Sequence, residues 1–156
     1  MKLYTAGPFF NDEQVEVMEQ IEACAGRCGY QIFSPRNECY CPPGASLEQR
    51  KLSFLMNCTG IMSSDFVLAR IDDFDPGTIW EVGFAYGLRA GSDGLPLMER
   101  PKVYAFTTVP SRGLNLMLAQ SVDGFLKGLP SVYKFLKEMM FERTDKEAQA
   151  WKENII

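Results

Sequence analysis

The residues able to do chemistry gather in one stretch, 65–86, where Asp72, Asp73, Asp75 and Glu81 fall close together. The chain has no histidine. That excludes a Ser-His-Asp or Cys-His nucleophile and leaves acid, base or nucleophilic work to carboxylates. Glu81 stands between Trp80 and Val82 in an otherwise apolar segment. A glutamate on a helix ordinarily faces solvent. The other reading is a carboxylate turned into a cleft beside Asp75. The two are six positions apart, so they do not stack on one helical face, but a cap position for Asp75 lets both border one pocket. Both readings stay open at this level.

The elements that would position this stretch are legible around it. Phe66 to Ala69 is an apolar run of strand length. Asp75-Pro76 reads as a helix start, Asp capping free N–H groups and Pro taking the first helical position. Ile79, Val82 and Tyr86 then recur at helical spacing. The order is strand, acidic loop, helix, and such loops lie at the carboxyl ends of strands, where open α/β sheets bind ligands.

The flanking chain repeats the pattern. Lys2 to Ala6 reads as a strand, followed by a sharp turn at Gly7-Pro8-Phe9-Phe10. Asn11 or Asp12 can cap a helix whose stripe is Val17, Met18, Ile21, Cys24, Ala25 and Cys28, ended by Gly29. Tyr30 to Phe33 reads as a second strand, and residues 36–46 as a long loop bordering the ligand. Ser46, with Gln49 three residues on, starts a helix to about Met62. Leu52, Leu55, Cys58 and Met62 are expected to face inward and Asn57 outward. A loop follows from Gly91 to Pro96, then a strand from Lys102 to Thr107 and a polar loop at Pro110 to Gly113. A short helix begins at Asn115-Leu-Met-Leu, and Ser121 to Leu126 is a fifth, short strand. Val132, Phe135, Leu136 and Met139 mark a last helix, and Trp151, Ile155 and Ile156 in the tail are expected to dock.

Strands alternating with helices imply a doubly wound α/β fold around a parallel sheet, expected as a single domain over residues 1–156. The net charge of −4 gives no support for nucleic-acid or anionic-membrane partners. No apolar run has transmembrane length and the N-terminus lacks signal-peptide form, so a cytoplasmic setting is expected. GxGxxG and Walker loops are missing, so nucleotide phosphates lack their usual cradle; Gly7 is a much weaker sign of a close ligand approach. The five cysteines, 24, 28, 39, 41 and 58, do not form an even disulfide framework. Cys39-Tyr-Cys41 lacks further metal ligands, so no metal is expected.

Several motifs then occur in order: Tyr4-Thr-Ala-Gly-Pro-Phe-Phe, Asn57 eight residues before Asp65, Asp75-x-Gly-Thr-x-x-Glu81-x-Gly83, and Asn115-Leu-Met-Leu. Together they resemble the nucleoside 2-deoxyribosyltransferases over nearly the whole chain. The resemblance implies a flavodoxin-like fold, five parallel strands flanked by helices, with no cofactor. It implies transfer of 2-deoxyribose between purine or pyrimidine bases, with a deoxyribonucleoside and a free nucleobase as partners. It also implies a homo-oligomer, a dimer or a hexamer built from dimers.

Residue roles follow from the resemblance alone. Glu81 is implied as the nucleophile on the anomeric carbon and Tyr4 as the residue orienting it. Asp75 is implied to hold the sugar 5′-hydroxyl together with Asn115, which reaches in from a neighbouring subunit with Met117 beside it. Phe9 and Phe10 are implied to wall the base pocket, and Gly7 of the same motif is expected among the substrate-binding residues. Asn57 stands where many relatives carry Asp, and Glu38 lies where the family contacts the base. Two alternatives are a deoxynucleoside 5′-monophosphate glycohydrolase of the same fold, kept open by Ser111 and Arg112, and a non-catalytic nucleotide-binding domain. A carboxylate such as Asp75 beside a phosphate dianion is repulsive and argues against the first.

Overall fold

The computed structural model describes residues 1–89 and 101–153, with the backbone alone for 89 and 144–153. The expected loop at 91–96, and the side chains of Trp151, Ile155 and Ile156, lie outside the described residues.

Five strands form one parallel sheet: β1 (Lys2–Ala6), β2 (Gln31–Phe33), β3 (Phe66–Arg70), β4 (Lys102–Thr107) and β5 (Gly124–Lys127). Their order is β2-β1-β3-β4-β5. The chain moves to one side of β1 for β2 and to the other for β3, so the order reverses there. Such a switch point opens a crevice at the carboxyl ends of the strands. Tyr4 of β1 lies opposite Val67 of β3 and Phe33 of β2, beside that crevice.

Helices α1 (Asp12–Arg27), α3 (Leu47–Met62), α4 (Pro76–Arg89), α5 (Leu116–Ser121) and α6 (Leu129–Glu153) cover the two faces. One face packs Leu3, Phe66, Leu68 and Phe106 against Val17, Met18 and Ile21 of α1 and Val132 and Leu136 of α6. The other packs Tyr4, Ala6, Val67, Ala69 and Val103 against Ile61 of α3, Val82 and Ala85 of α4 and Leu118 of α5. The sheet is therefore buried on both faces, as a parallel sheet must be. This is the doubly wound, flavodoxin-like α/β architecture. Among the described residues no helix is long and apolar enough to cross a membrane.

The local signals act as the sequence implies. Asn11 caps α1 by accepting from the Gln14 N–H. Ser46 and Gln49 form a complete capping box on α3. Gly29 follows α1 at φ +91°, a left-handed turn that glycine takes without strain.

Four expectations are corrected. Residues 36–46 are not all loop: a one-turn helix α2 (Pro35–Glu38) follows β2, because Pro35 is preset for a first helical turn. Tyr30 stands outside β2, buried, its hydroxyl donating to the Leu136 carbonyl 2.8 Å away. The last strand is Gly124–Lys127 rather than 121–126, since α5 extends to Ser121.

The fourth correction is larger. Leu52 and Leu55 are each 59% exposed, Met62 is exposed and Cys58 half-buried. Of α3 only Gly60 and Ile61 are buried. The expected inward stripe faces away from the core of its own chain. It adjoins Phe54, whose ring lies 5.3 Å from Trp80 of α4, and Trp80 stacks on Phe84 at 5.1 Å. This makes a broad apolar surface on one side of the molecule.

Candidate active site

Glu81 lies in α4, past the first turn that Asp75 starts. Asp75 caps that helix: its Oδ2 accepts from the Thr78 N–H at 2.7 Å and the Thr78 hydroxyl at 2.9 Å. The cap fixes the rotation of α4 and turns Glu81 toward the sheet. There Tyr4, wholly buried in β1, donates its hydroxyl to Glu81 Oε1 at 2.6 Å. The choice left open by the sequence is thus decided: Glu81 is half-buried and faces the crevice.

Asn57 completes the group. Its Oδ1 accepts from the Tyr4 hydroxyl at 3.1 Å and from the Cys39 thiol at 2.8 Å. The expected exposed Asn57 is half-buried. Asn57 reaches inward from α3 while its apolar neighbours reach outward, because the sheet-facing side of α3 here borders the crevice rather than the core. Cys39, just past α2, was not singled out for this site by the sequence. No local pattern marks it, because its partner lies eighteen residues away on another helix.

The electrostatics of Glu81 are unusual. Burial drives its carboxyl upward; the Tyr4 bond opposes this and the charge of Asp75 adds to it, giving a pKa of about 7 against an ordinary 4.5. The protonated form is therefore favoured in the fold. Its stabilising contribution is complete below pH 4.5 and is lost as the pH rises through 7. Replacing the carboxylate by an amide should then stabilise the protein at alkaline pH. Glu81→Gln is expected to melt roughly 3–8 °C above wild type at about pH 8, for a gain of about 1–2 kcal/mol. The difference should vanish near pH 4.5. Thermal unfolding at both pH values checks this, and equal melting at pH 8 would contradict the buried charge.

The other acidic residues of the stretch are committed to structure. Burial alone would raise the Asp72 carboxyl, but Thr107, the Thr108 N–H and hydroxyl, and Arg70 all donate to it and hold it below its usual value. Asp73 accepts from Gln14 at 2.8 Å. Arg112 donates to the carbonyls of Ile71 and Asp72 and lies 4.7 Å from the Phe74 ring. Its clamp accompanies a left-handed backbone at Phe74, φ +48°.

The remaining candidates make no direct bond to Glu81. Gly7 follows β1, and a Cβ there would sit 2.7 Å from Met18 Sδ. Its smallness thus serves the packing of α1 on the sheet. Phe9 and Phe10 stack at 5.5 Å in the same loop, with Phe10 74% exposed. Glu38 is exposed at the end of α2. Asn115 caps α5, accepting from the Leu118 N–H at 2.9 Å, and Leu116 and Met117 beside it are each 74% exposed. Tyr4, Asn57 and Glu81 are thus joined directly, and Asp75 lies close enough to act on Glu81 by charge. Among the described residues no three Cys, Asp or Glu side chains are arranged to hold a metal ion.

A carboxylate of raised pKa beside a buried hydroxyl suits nucleophilic or acid–base work on a small polar substrate. Comparison with known proteins points the same way. The family model for nucleoside 2-deoxyribosyltransferase matches residues 3–123. Among solved structures, the chain is similar to a 2-deoxyribosyltransferase from the psychrotolerant bacterium Bacillus psychrosaccharolyticus. The identity is 27% and the TM-score 0.71, over 88% of this chain and 90% of that one. It is also similar to a conserved protein from Enterococcus faecalis V583, at 17% identity and a TM-score of 0.68, over 92% and 98% of the two chains. That second likeness speaks for the fold alone. No curated protein matches the chain.

Proposed function

The chain belongs to the nucleoside 2-deoxyribosyltransferase family, and from that premise we propose that it moves 2-deoxyribose between nucleobases through a covalent ester on Glu81. The observation that carries this reading is the 2.6 Å bond from the buried Tyr4 hydroxyl to a carboxylate with a pKa of about 7.

A 2-deoxyribosyl centre has no 2-hydroxyl to oppose positive charge, so an oxocarbenium-like transition state is reachable with modest help. Glu81 attacks the anomeric carbon as its bond to the base breaks, and a glycosyl ester forms. Tyr4 holds the carboxylate in line. The departing base takes a proton from a carboxylic acid or from water, there being no histidine. A second base then attacks the ester from the face the first base left, so two inversions give retention. Water in place of that base gives slow hydrolysis. Phe9 and Phe10 wall the base, with Glu38 and Asn57 at its polar edge.

Asp75 would bind the 5′-hydroxyl. The Thr78 bonds both fall on Oδ2, so Oδ1 is the oxygen for the sugar. Asp75→Asn keeps an oxygen for the helix cap and loses the charge. It should lower kcat/KM for nucleosides roughly 10- to 100-fold, the value of about 1.5–3 kcal/mol for a charged hydrogen bond. Steady-state kinetics on thymidine and on its 5′-deoxy analogue check this. With the analogue, wild type should be as slow as the variant.

The monophosphate glycohydrolase is the weaker reading. Arg112, its best phosphate ligand, is engaged with two backbone carbonyls and the Phe74 ring. The deciding assay is deoxyinosine or thymidine with and without free adenine, followed by chromatography. A new deoxynucleoside only when adenine is present supports transfer. Preference for the 5′-monophosphate, with release of free sugar phosphate, would replace it by the hydrolase.

A further inference from the structure

Tyr4 offers one hydrogen to two acceptors. Its oxygen lies 2.6 Å from Glu81 Oε1 and 3.1 Å from Asn57 Oδ1. Burial first, then the Glu81 charge and bond, keep this hydroxyl protonated. The hydrogen can therefore serve one oxygen well, and every displacement toward Asn57 is taken from Glu81. An amide oxygen in a half-buried position competes for a donor unless it has another.

Asn57 Oδ1 does have another, the Cys39 thiol at 2.8 Å, which is nearer to it than to the thiol's other acceptor, the Pro35 carbonyl at 3.4 Å. Cys39 is buried. Burial, then the nearby charges of Glu81 and Glu38, push its thiol up to about 11, so it remains an S–H donor rather than a reactive thiolate. We propose that Cys39 is a positioning residue of the transfer reaction: its thiol satisfies one lone pair of Asn57 Oδ1, weakens that oxygen's draw on Tyr4 and so leaves the Tyr4 hydrogen chiefly on Glu81. This rests on the reading of Glu81 as the nucleophile. Cys39 touches no reacting atom; it acts through Asn57 and then Tyr4. Its sulfhydryl thereby keeps the carboxylate stabilised in its charged, attacking form.

The test is the pH dependence of kcat/KM for base exchange. Glu81 is surrounded by Tyr4 from β1, Cys39 beyond α2, Cys58 from α3 and Asp75 at the start of α4. Tyr4 and both thiols stay protonated between about pH 5 and 8, and Asp75 is present in every variant. The acid limb therefore reports Glu81, and in wild type it should fall near pH 7. In Cys39→Ala, Asn57 draws the Tyr4 hydrogen, Glu81 loses part of its stabilising bond, and the limb moves up by about half a unit. At about pH 6 kcat/KM then drops roughly threefold, while the plateau above about pH 8 is unchanged. Cys39→Ser retains a donor and should behave as wild type. In an Asn57→Ala background, Cys39→Ala should move nothing further, because the competing acceptor is gone.

Cys39→Val, similar in shape and without a donor, carries the same test if alanine fails to fold. An unmoved limb in both donorless variants overturns the proposal. So does a serine variant as impaired as alanine, or a shift that persists without Asn57. Glu81→Ala, measured alongside, separates the two ways to fail. Transfer surviving in Glu81→Ala removes the nucleophile reading itself. An inactive Glu81→Ala with an unmoved limb in Cys39→Ala removes only the role of Cys39.

Discussion

Glu81→Ala is expected to lose base exchange by at least about a thousandfold while retaining the fold. The side chain supplies the bond that divides one difficult displacement into two easier ones. Its removal should add about 4 kcal/mol or more to the barrier. The fold should survive because the core on that face is largely aliphatic, with Val82, Ala85, Val67 and Ala69, and Tyr4, the member of that core bonded to Glu81, keeps Asn57 Oδ1 as an acceptor. Loss of a buried charge with a raised pKa also favours stability above pH 7. An inactive variant that melts at or above the wild-type temperature at alkaline pH therefore distinguishes a lost nucleophile from a damaged structure. A second measurement is direct. Wild type incubated with a deoxyribonucleoside and no acceptor should carry a deoxyribosyl group on the peptide containing Glu81, and Glu81→Ala should not. Near-normal turnover in the variant would end the assignment.

Much of this arrangement was legible because it is local. Asp75-Pro76 states a helix start within two residues, and Thr78 supplies the donors that complete the cap. Ser46 and Gln49 state another start within four. The strands are apolar runs between such signals, and their alternation with helices implies the parallel sheet. The bond between Tyr4 and Glu81 spans 77 residues, and no periodicity in the chain reports it; only the resemblance pairs the two. Nothing in the sequence reports the bond between Cys39 and Asn57. It depends on α2, one turn following Ser34-Pro35, bringing Cys39 against α3.

The error at α3 has a different cause. Periodicity says that Leu52, Leu55 and Met62 share a side, and it is silent on what covers that side. A stripe that meets the chain's own sheet and a stripe that meets another molecule are the same pattern. Here the sheet-facing side carries Asn57, Gly60 and Ile61, and the apolar stripe is left outside. Burial by a partner would resolve the apparent contradiction.

That partner is expected to be a second copy of the chain, and its effect should be visible in activity. The exposed leucines of α3 lie with the exposed Phe54 and Trp80 on one side of the molecule, and a contiguous apolar face of this kind is what a partner covers. Leu116 and Met117, exposed on α5, flank Asn115, whose Oδ1 is spent on its own helix. Its amide NH2 is then the group available to a sugar hydroxyl, and the reading above places that sugar in the neighbouring subunit's site. If each site takes Glu81 from one chain and Asn115 from the other, two damaged chains can make one whole site. Glu81→Ala and Asn115→Ala proteins, each nearly inactive alone, are mixed under conditions of subunit exchange. Half of randomly paired dimers are mixed, each holding one doubly damaged and one intact site. Activity should thus return to about a quarter of wild type. If Asn115 instead serves its own chain, every site in a mixed dimer keeps one lesion and nothing returns. Exchange proven by mass or label with no recovery, or full activity in a sedimenting monomer, would show that the site is complete within a single chain.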